Sequence, residues 1–433
     1  MKRHLGCVAA ATTLLLSLYA CSSDSANEGG QDGGLVPGQD GSSSGSSGSS
    51  GGDGSSNPDA LTDGQTNADG AADAAIEAPV VDPGPPRVRF IGRFDMAPAA
   101  GPKVAYPGAQ ILARFSGTEV KATFSDELLF TDYGANRWEG LVDGMSKVTI
   151  QLDRTQPTTY TIATGLPLGP HTVQLFKLTE GNVGTTQFRG FDFSGGVLLP
   201  PPLPNARRMQ FLADSASSGY GIEGADQNCG FSAATENERK SYPALIAHDL
   251  SADSHNLAAA GKGVYQNNYR PLVNPDTDVF SVIYQHVGVH AGTPLWSAAS
   301  YSPDVVWITL GGNDYDVGSG AGAPGAPPAG QFQPKYDALV VTVRTQHPNA
   351  HIFCAVAPSL TNAYPAGYDA YTNVKTGVQA VVNAHAADNK IYFFEFTRSV
   401  DADLTACEGH TNVAKHRAMA DEAIVIIKQK TGW

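Results

Sequence analysis

Past residue 86 the apolar positions of this chain fall into two regimes. From 87 to 197 they come in short runs rich in β-branched and aromatic residues, at 88–94, 111–115, 120–124, 148–152, 160–163, 171–178 and 187–193. Turn residues separate these runs, among them Pro107-Gly108, Asp143-Gly144, Gly169-Pro170 and Glu180-Gly181-Asn182. Short strands at this spacing predict a β-sandwich, or jelly roll. From 206 onward, apolar runs at 209–213, 304–310, 351–356 and 391–396 alternate with helix-like stretches at 242–250, 334–347 and 412–428. In the last stretch Val413, Ala420, Ala423, Ile424 and Ile427 mark one face. Continuous apolar runs suit parallel strands covered on both faces, so a flavodoxin-like α/β domain is predicted. Four prolines within 198–205 forbid a helix there and mark an extended connector. The expected folded domains are 87–200 and 206–433.

The residues before 87 follow neither pattern. Lys2, Arg3 and His4 precede an apolar core at 8–19, and Leu18-Tyr19-Ala20-Cys21 looks like a bacterial lipobox. Residues 1–20 are therefore expected to be a lipoprotein signal peptide, cut to leave Cys21 carrying lipid. The apolar core is short for a membrane span, and no other segment reaches about 18 apolar residues. Residues 21–86 are Gly, Ser, Asp, Ala and Pro with almost no large apolar side chain. Such a stretch cannot bury enough surface to offset its ordering entropy, and is expected to be a disordered tether. Ser22, following the lipid-bearing cysteine, resembles lipoproteins sorted to an outer membrane. The expected location is a bacterial outer membrane, periplasmic or cell-surface exposed.

Charge and cysteine content narrow the partners. The net charge of −14 argues against nucleic acid or an anionic bilayer surface, although much of it sits in the tether. Outside the signal and lipid positions three cysteines remain: Cys229, Cys354 and Cys407. An exported chain can form one disulfide from them. Cys354 lies toward the end of an apolar run and Cys407 lies three residues before His410, so a Cys354–Cys407 bond bracing the histidine loop is expected.

The candidate chemistry begins where the run 209–213 breaks into a small-residue turn holding Asp214-Ser215. A parallel α/β sheet presents a nucleophile at such a strand-to-turn serine. Later segments supply the rest: AAAGKGVY at 258–265, Gly311-Gly312-Asn313-Asp314 after an apolar run, and Cys407-Glu408-Gly409-His410. Acyl transfer needs a nucleophile, a base, and donors for the charge developing on the carbonyl oxygen. Ser215 is the candidate nucleophile and His410 the candidate base. The Ser215 N–H, Gly261 and the Asn313 amide are the candidate oxyanion donors, with Gly263 competing for the glycine role. Asp214, Asp314 and Glu408 are supporting candidates, Asp314 as a holder of loop geometry, and His416 is expected to be structural. His286 and His290 lack a third ligand nearby, so no metal site is expected.

Ser, Gly, Asn and His in this order are the elements for which SGNH hydrolases are named, and the chain resembles them over about half its length. Gly261 stands five residues after Asn256, the spacing of the second block in that family. Many SGNH enzymes carry an Asp three residues before the histidine. Here that slot is Cys407, so either a main-chain carbonyl orients the ring of a Ser-His dyad or Glu408 reaches across. A jelly roll followed by an SGNH domain with such a histidine resembles carbohydrate esterase family two, the acetyl-xylan esterases. Further similarities lie at 89–95 (RFIGRFD), 171–184, 188–191 (FRGF) and 263–269 (GVYQNNY). The resemblance implies that Ser215 and His410 are catalytic and that Gly261 and Asn313 hold the oxyanion. It implies no cofactor, and an acetylated polysaccharide such as xylan or glucomannan as substrate. Ala213 departs from the glycine of the family pattern. Two other functions use the same features: a non-catalytic glycan-binding surface lipoprotein and a glycan O-acetyltransferase. Trp296, Trp307, Tyr220, Tyr265 and Tyr315 lie near the motifs as candidates for stacking on sugar rings.

Overall fold

A computed structural model describes residues 87–129, 132–268, 278–316 and 325–433. The expected signal segment 1–20, the expected tether 21–86 with Cys21 as the expected lipidation site, and Tyr269 lie outside the described residues.

The first domain is all β: β1 (Arg89–Ile91), β2 (Phe94–Asp95), β3 (Lys103–Val104), β4 (Gln110–Ser116), β5 (Val120–Glu127), β6 (Arg137–Val142), β7 (Met145–Gln151), β8 (Thr158–Ala163), β9 (Pro170–Lys177), β10 (Thr185–Asp192) and β11 (Val197–Leu199). One antiparallel sheet runs β1-β4-β9-β6-β7 with β11 also on β4, and the other runs β2-β3-β10-β5-β8. Alternation along β5 and β9 sends one side chain in two inward, as a sandwich requires. Phe115, Phe124, Trp138, Val173 and Leu175 fill the space between the sheets. The predicted run 88–94 is split by Gly92 at φ +123, where an added Cβ would meet the Ala109 Cβ at 3.0 Å.

The second domain carries a parallel sheet of β12 (Arg207–Ala213), β13 (Ala252–Ala258), β14 (Val305–Thr309), β15 (His351–Val356) and β16 (Ile391–Glu395). Its order is β13-β12-β14-β15-β16, the 2-1-3-4-5 order of flavodoxin-like folds. Every residue of β13 and β14 is buried, because helices or the sandwich cover both faces. The helices are α1 (Ser215–Ser218), α2 (Tyr242–Asp249), α3 (Phe280–Ile283), α4 (Gly312–Tyr315), α5 (Phe332–Gln346), α6 (Ala370–Ala384) and α7 (Val413–Thr431). Leu212, Val306, Ile308 and Cys354 pack toward α3, α5 and α6, while Phe211, Trp307 and Phe353 pack toward α2 and α7.

The expected Cys354–Cys407 bond is not formed. The disulfide joins Cys229 to Cys407, whose Cα atoms are 4.7 Å apart, and Cys354 is a free thiol. Cys354 sits inside β15 with its side chain turned into the core, where burial pushes the thiol up to about 12. The loop after α1 instead returns across the histidine turn, with Cys407 N–H donating to Gly221 O and Glu408 N–H to Cys229 O.

Candidate active site

The carboxyl ends of β12, β13 and β14 meet at the point where the strand order reverses, the usual ligand position in such sheets. Asp214 leaves β12 in extended conformation and caps α1, accepting the Ala216 N–H at 3.1 Å. Ser215 thereby becomes the first residue of a single helical turn that Gly219 closes at φ +76. Ala213 is the buried last residue of β12, paired with Ala258 and Thr309 in the sheet, so its methyl occupies an ordinary strand position.

Ser215 Oγ lies 2.9 Å from His410 Nε2. The other ring nitrogen, Nδ1, is 3.1 Å from the Cys407 carbonyl oxygen. A carbonyl can only accept, so the neutral ring donates from Nδ1 and accepts the Ser215 proton at Nε2. Burial holds the His410 pKa below its ordinary value, against the opposing pull of the Cys407 carbonyl and the Glu408 charge. Glu408 does not reach the ring: its Oε2 accepts the Tyr220 hydroxyl at 2.7 Å. Tyr220 in turn lies flat on the imidazole, with centroids 4.1 Å apart, and stacks on Phe231.

Ser215, Gly261, Asn313 and His410 line one cleft of about 700 Å³. Gly261 adopts φ +75. Gly263 is absent from that lining; its N–H is bonded to Asn267 Oδ1 at 3.2 Å. Gly311 places Asn313: at φ +123 it turns the chain out of β14, and an added Cβ would meet Val374 at 2.8 Å. Asn313 Nδ2 donates to Lys262 O at 3.1 Å and to Asp214 Oδ2 at 3.2 Å. Both amide hydrogens are engaged, so serving as an oxyanion donor would require Asn313 to share or release the longer bond to Asp214. Burial raises the Asp214 carboxyl to about 7, which weakens that competing acceptor when it is protonated. Asp314 accepts the N–H groups of Val264, Tyr265 and Gln266 and so holds the loop after Gly261.

Other expected residues fall elsewhere. Trp307 and Tyr315 are core side chains, and Trp296 lies under the Arg93 guanidinium in a second, larger cleft of about 800 Å³. That cleft also holds Arg208 and Asp253, at the amino ends of β12 and β13, and is remote from the serine. His416 is buried, accepts the Tyr242 N–H, and has its pKa driven down to about 3. Among the described residues no group of three or more His, Cys, Asp or Glu side chains gathers as metal ligands do. Sequence reasoning missed Phe231, Asn268, Asp316 and Tyr364 on the cleft wall, and Tyr133, Glu180 and Asn182, which come from the sandwich. The Glu180-Gly181-Asn182 run reads as a turn, and nothing local to it indicates which distant loop it touches.

A serine bonded to a histidine beyond the carboxyl ends of a 2-1-3-4-5 sheet is the arrangement of the GDSL-like hydrolases, and residues 212–421 match the GDSL-like Lipase/Acylhydrolase family. Residues 90–202 match the carbohydrate esterase 2 N-terminal domain. The chain belongs to carbohydrate esterase family two. It is 32% identical over 351 residues to the cellulase/esterase CelE of Acetivibrio thermocellus, covering 80% of this chain but 40% of that protein. It is 24% identical over 356 residues to an acetylxylan esterase / glucomannan deacetylase of Cellvibrio japonicus, covering 80% of this chain and 90% of the relative. A family two carbohydrate esterase from Clostridium thermocellum, solved in complex with cellohexaose, is similar at 31% identity and a TM-score of 0.71, over 80% of this chain and all of that one.

Proposed function

We propose that this chain is a serine esterase that removes O-acetyl groups from polysaccharides such as xylan or glucomannan. The observation that carries the reading is the 2.9 Å contact between Ser215 Oγ and His410 Nε2, inside the cleft that Gly261 and Asn313 also line. In this mechanism Ser215 Oγ attacks the acetyl carbonyl carbon as Nε2 takes its proton. The imidazolium keeps its Nδ1–H on the Cys407 carbonyl, and the N–H groups of Ser215 and Gly261 with the Asn313 amide hold the oxyanion. Collapse expels the sugar alkoxide, which takes the proton from Nε2. Water, deprotonated by the same nitrogen, then attacks the acetyl-serine and releases acetate. The cleft reaches the surface, where Tyr364 on its rim is 65% exposed, and access of water favours hydrolysis over transfer to a second sugar.

The Cellvibrio relative's name supports acetylated xylan and glucomannan as substrates, and the Clostridium complex with cellohexaose supports binding of a β-glucan-like chain. The proposed location is an outer membrane, with lipid on Cys21 after removal of residues 1–20; its support is the sequence pattern alone. Acetate release from acetylated xylan and from glucomannan tests the activity. Wild type is expected to release acetate from at least one, and Ser215→Ala from neither. Equal release by both proteins would refute the assignment. Radiolabelled palmitate incorporation, expected in wild type and absent in Cys21→Ser, tests the anchor.

A further inference from the structure

The proposed oxyanion hole depends on a main-chain N–H, that of Gly261, and such a donor has no side chain by which to be aimed. What aims it is the peptide that contains it. The Ala260–Gly261 peptide is planar and trans, so its C=O and N–H point in opposite directions. Fixing the Ala260 oxygen on one side therefore fixes where the Gly261 N–H points on the other.

The Ala260 oxygen is fixed by the other domain. Asn182, in the turn between β9 and β10 of the sandwich, donates from Nδ2 to Ala260 O at 3.1 Å. Two residues earlier, Glu180 Oε2 accepts the Ala260 N–H at 2.5 Å. One residue of the hydrolase domain is thus held at both its N–H and its C=O by a single turn of the sandwich. The far side of Gly261 is held too, since its carbonyl accepts the Asn268 N–H at 3.0 Å.

The turn itself is seated firmly. Lys177 Nζ is buried and donates to Asn136 Oδ1 and to Thr179 O, both at 2.6 Å. Glu236 Oε2 accepts the Glu180 N–H at 2.9 Å. At Gly181 an added Cβ would meet Val289 Cγ1 at 2.5 Å, so the turn lies directly against the hydrolase domain. Glu180 and Asn182 both reach the cleft wall beside Ser215 and His410.

We infer that Asn182 and Glu180 of the sandwich are positioning residues for the reaction, clamping Ala260 so that the Gly261 N–H faces the oxyanion. The clamp also polarises the peptide, because a carbonyl that accepts a hydrogen bond makes its partner N–H a stronger donor. The sandwich is then a working part of the catalytic centre. This inference rests on the esterase reading above.

The test compares full-length wild type, Asn182→Ala, Glu180→Ala and Glu180→Gln on 4-nitrophenyl acetate. Rates are normalised to reactive serine, titrated to completion with diethyl 4-nitrophenyl phosphate, with thermal unfolding recorded beside them. Losing an oxyanion donor outright costs about 10²- to 10³-fold in kcat, so a donor that is kept but badly aimed should cost about tenfold or more. Asn182→Ala is expected to lose about tenfold in kcat with KM within about twofold of wild type. Glu180→Ala should lose more, and Glu180→Gln, which keeps an oxygen for the Ala260 N–H, should recover most of it. Should Glu180→Ala fail to fold, the half-buried Asn182 carries the test. Normal kcat per titrated serine in Asn182→Ala, even with a lower unfolding midpoint, would overturn the clamp and leave the esterase reading standing. An inactive wild type would overturn both.

Discussion

The two arms of the proposed site, base and oxyanion, are built in opposite ways. The base arm is local: His410 takes its orienting bond from Cys407, three residues earlier in the chain. The oxyanion arm is remote: Ala260 is held by side chains 80 and 78 residues away, in another domain. An imidazole carries its own second nitrogen and can be aimed by the nearest carbonyl. A backbone donor has no such handle, and whatever grips its peptide must come from elsewhere in the fold. The disulfide belongs to the base arm. Cys229–Cys407 ties the turn that supplies the carbonyl to the loop after α1, so a braced carbonyl stands where a triad uses a carboxylate.

Removing the base should have the largest effect. His410→Ala is expected to lower kcat by about 10³-fold or more with little change in folding, measured on 4-nitrophenyl acetate. Next comes the brace. Cys229→Ser opens a bond spanning 178 residues and should cost about 2–5 kcal/mol in unfolding free energy. Because the Cys407 carbonyl loses its tether, kcat should fall as well, by about tenfold, while KM moves little. A variant that lost stability but kept its kcat would show that the carbonyl is positioned without the disulfide.

Glu408→Gln separates dyad from triad. The expected loss in kcat is under about threefold, because Glu408 bonds to Tyr220 and not to the imidazole. The pH profile carries the sharper signal. His410 must be neutral to act, and burial lowers its pKa, so the acid limb of kcat/KM should fall below the ordinary value of about 6.5. The Glu408 charge raises that pKa, so its removal should move the limb further toward acid. A loss in kcat matching His410→Ala would make Glu408 the third member of a triad, and a shift toward base would contradict the charge effect of Glu408 on the imidazole. Ala213→Gly should have the smallest effect: about 1 kcal/mol or less of lost stability, because glycine has more freedom to lose in a strand, with activity unchanged.

Much of this architecture can be read from the chain because apolar runs mark buried parallel strands and motif order follows strand order. Ser215, Asn313 and His410 each follow or flank a strand or helix whose pattern is regular. β13 is harder to see, since its centre reads Asp253, Ser254, His255, Asn256, yet all are buried. The sandwich and neighbouring segments bond two of them: Arg89 and Asn205 bond Asp253, and Asn256 donates to Ser217 O and Glu238 Oε1. α6 escapes notice because its Thr, Val and Gly are weak helix formers, although Ala370, Val374, Val378 and Val381 form a buried stripe. The disulfide and the Ala260 clamp depend on how loops distant in sequence return to one place, which no local pattern encodes.

The central claim is that an acetyl group passes through Ser215 Oγ. Acid-quenching wild type during turnover of 4-nitrophenyl acetate, followed by peptide mass spectrometry, tests it directly. The account expects one acetyl group on the peptide containing Ser215, and none there in Ser215→Ala. Acetylation of any other residue during turnover, or turnover that persists without Ser215, would contradict it.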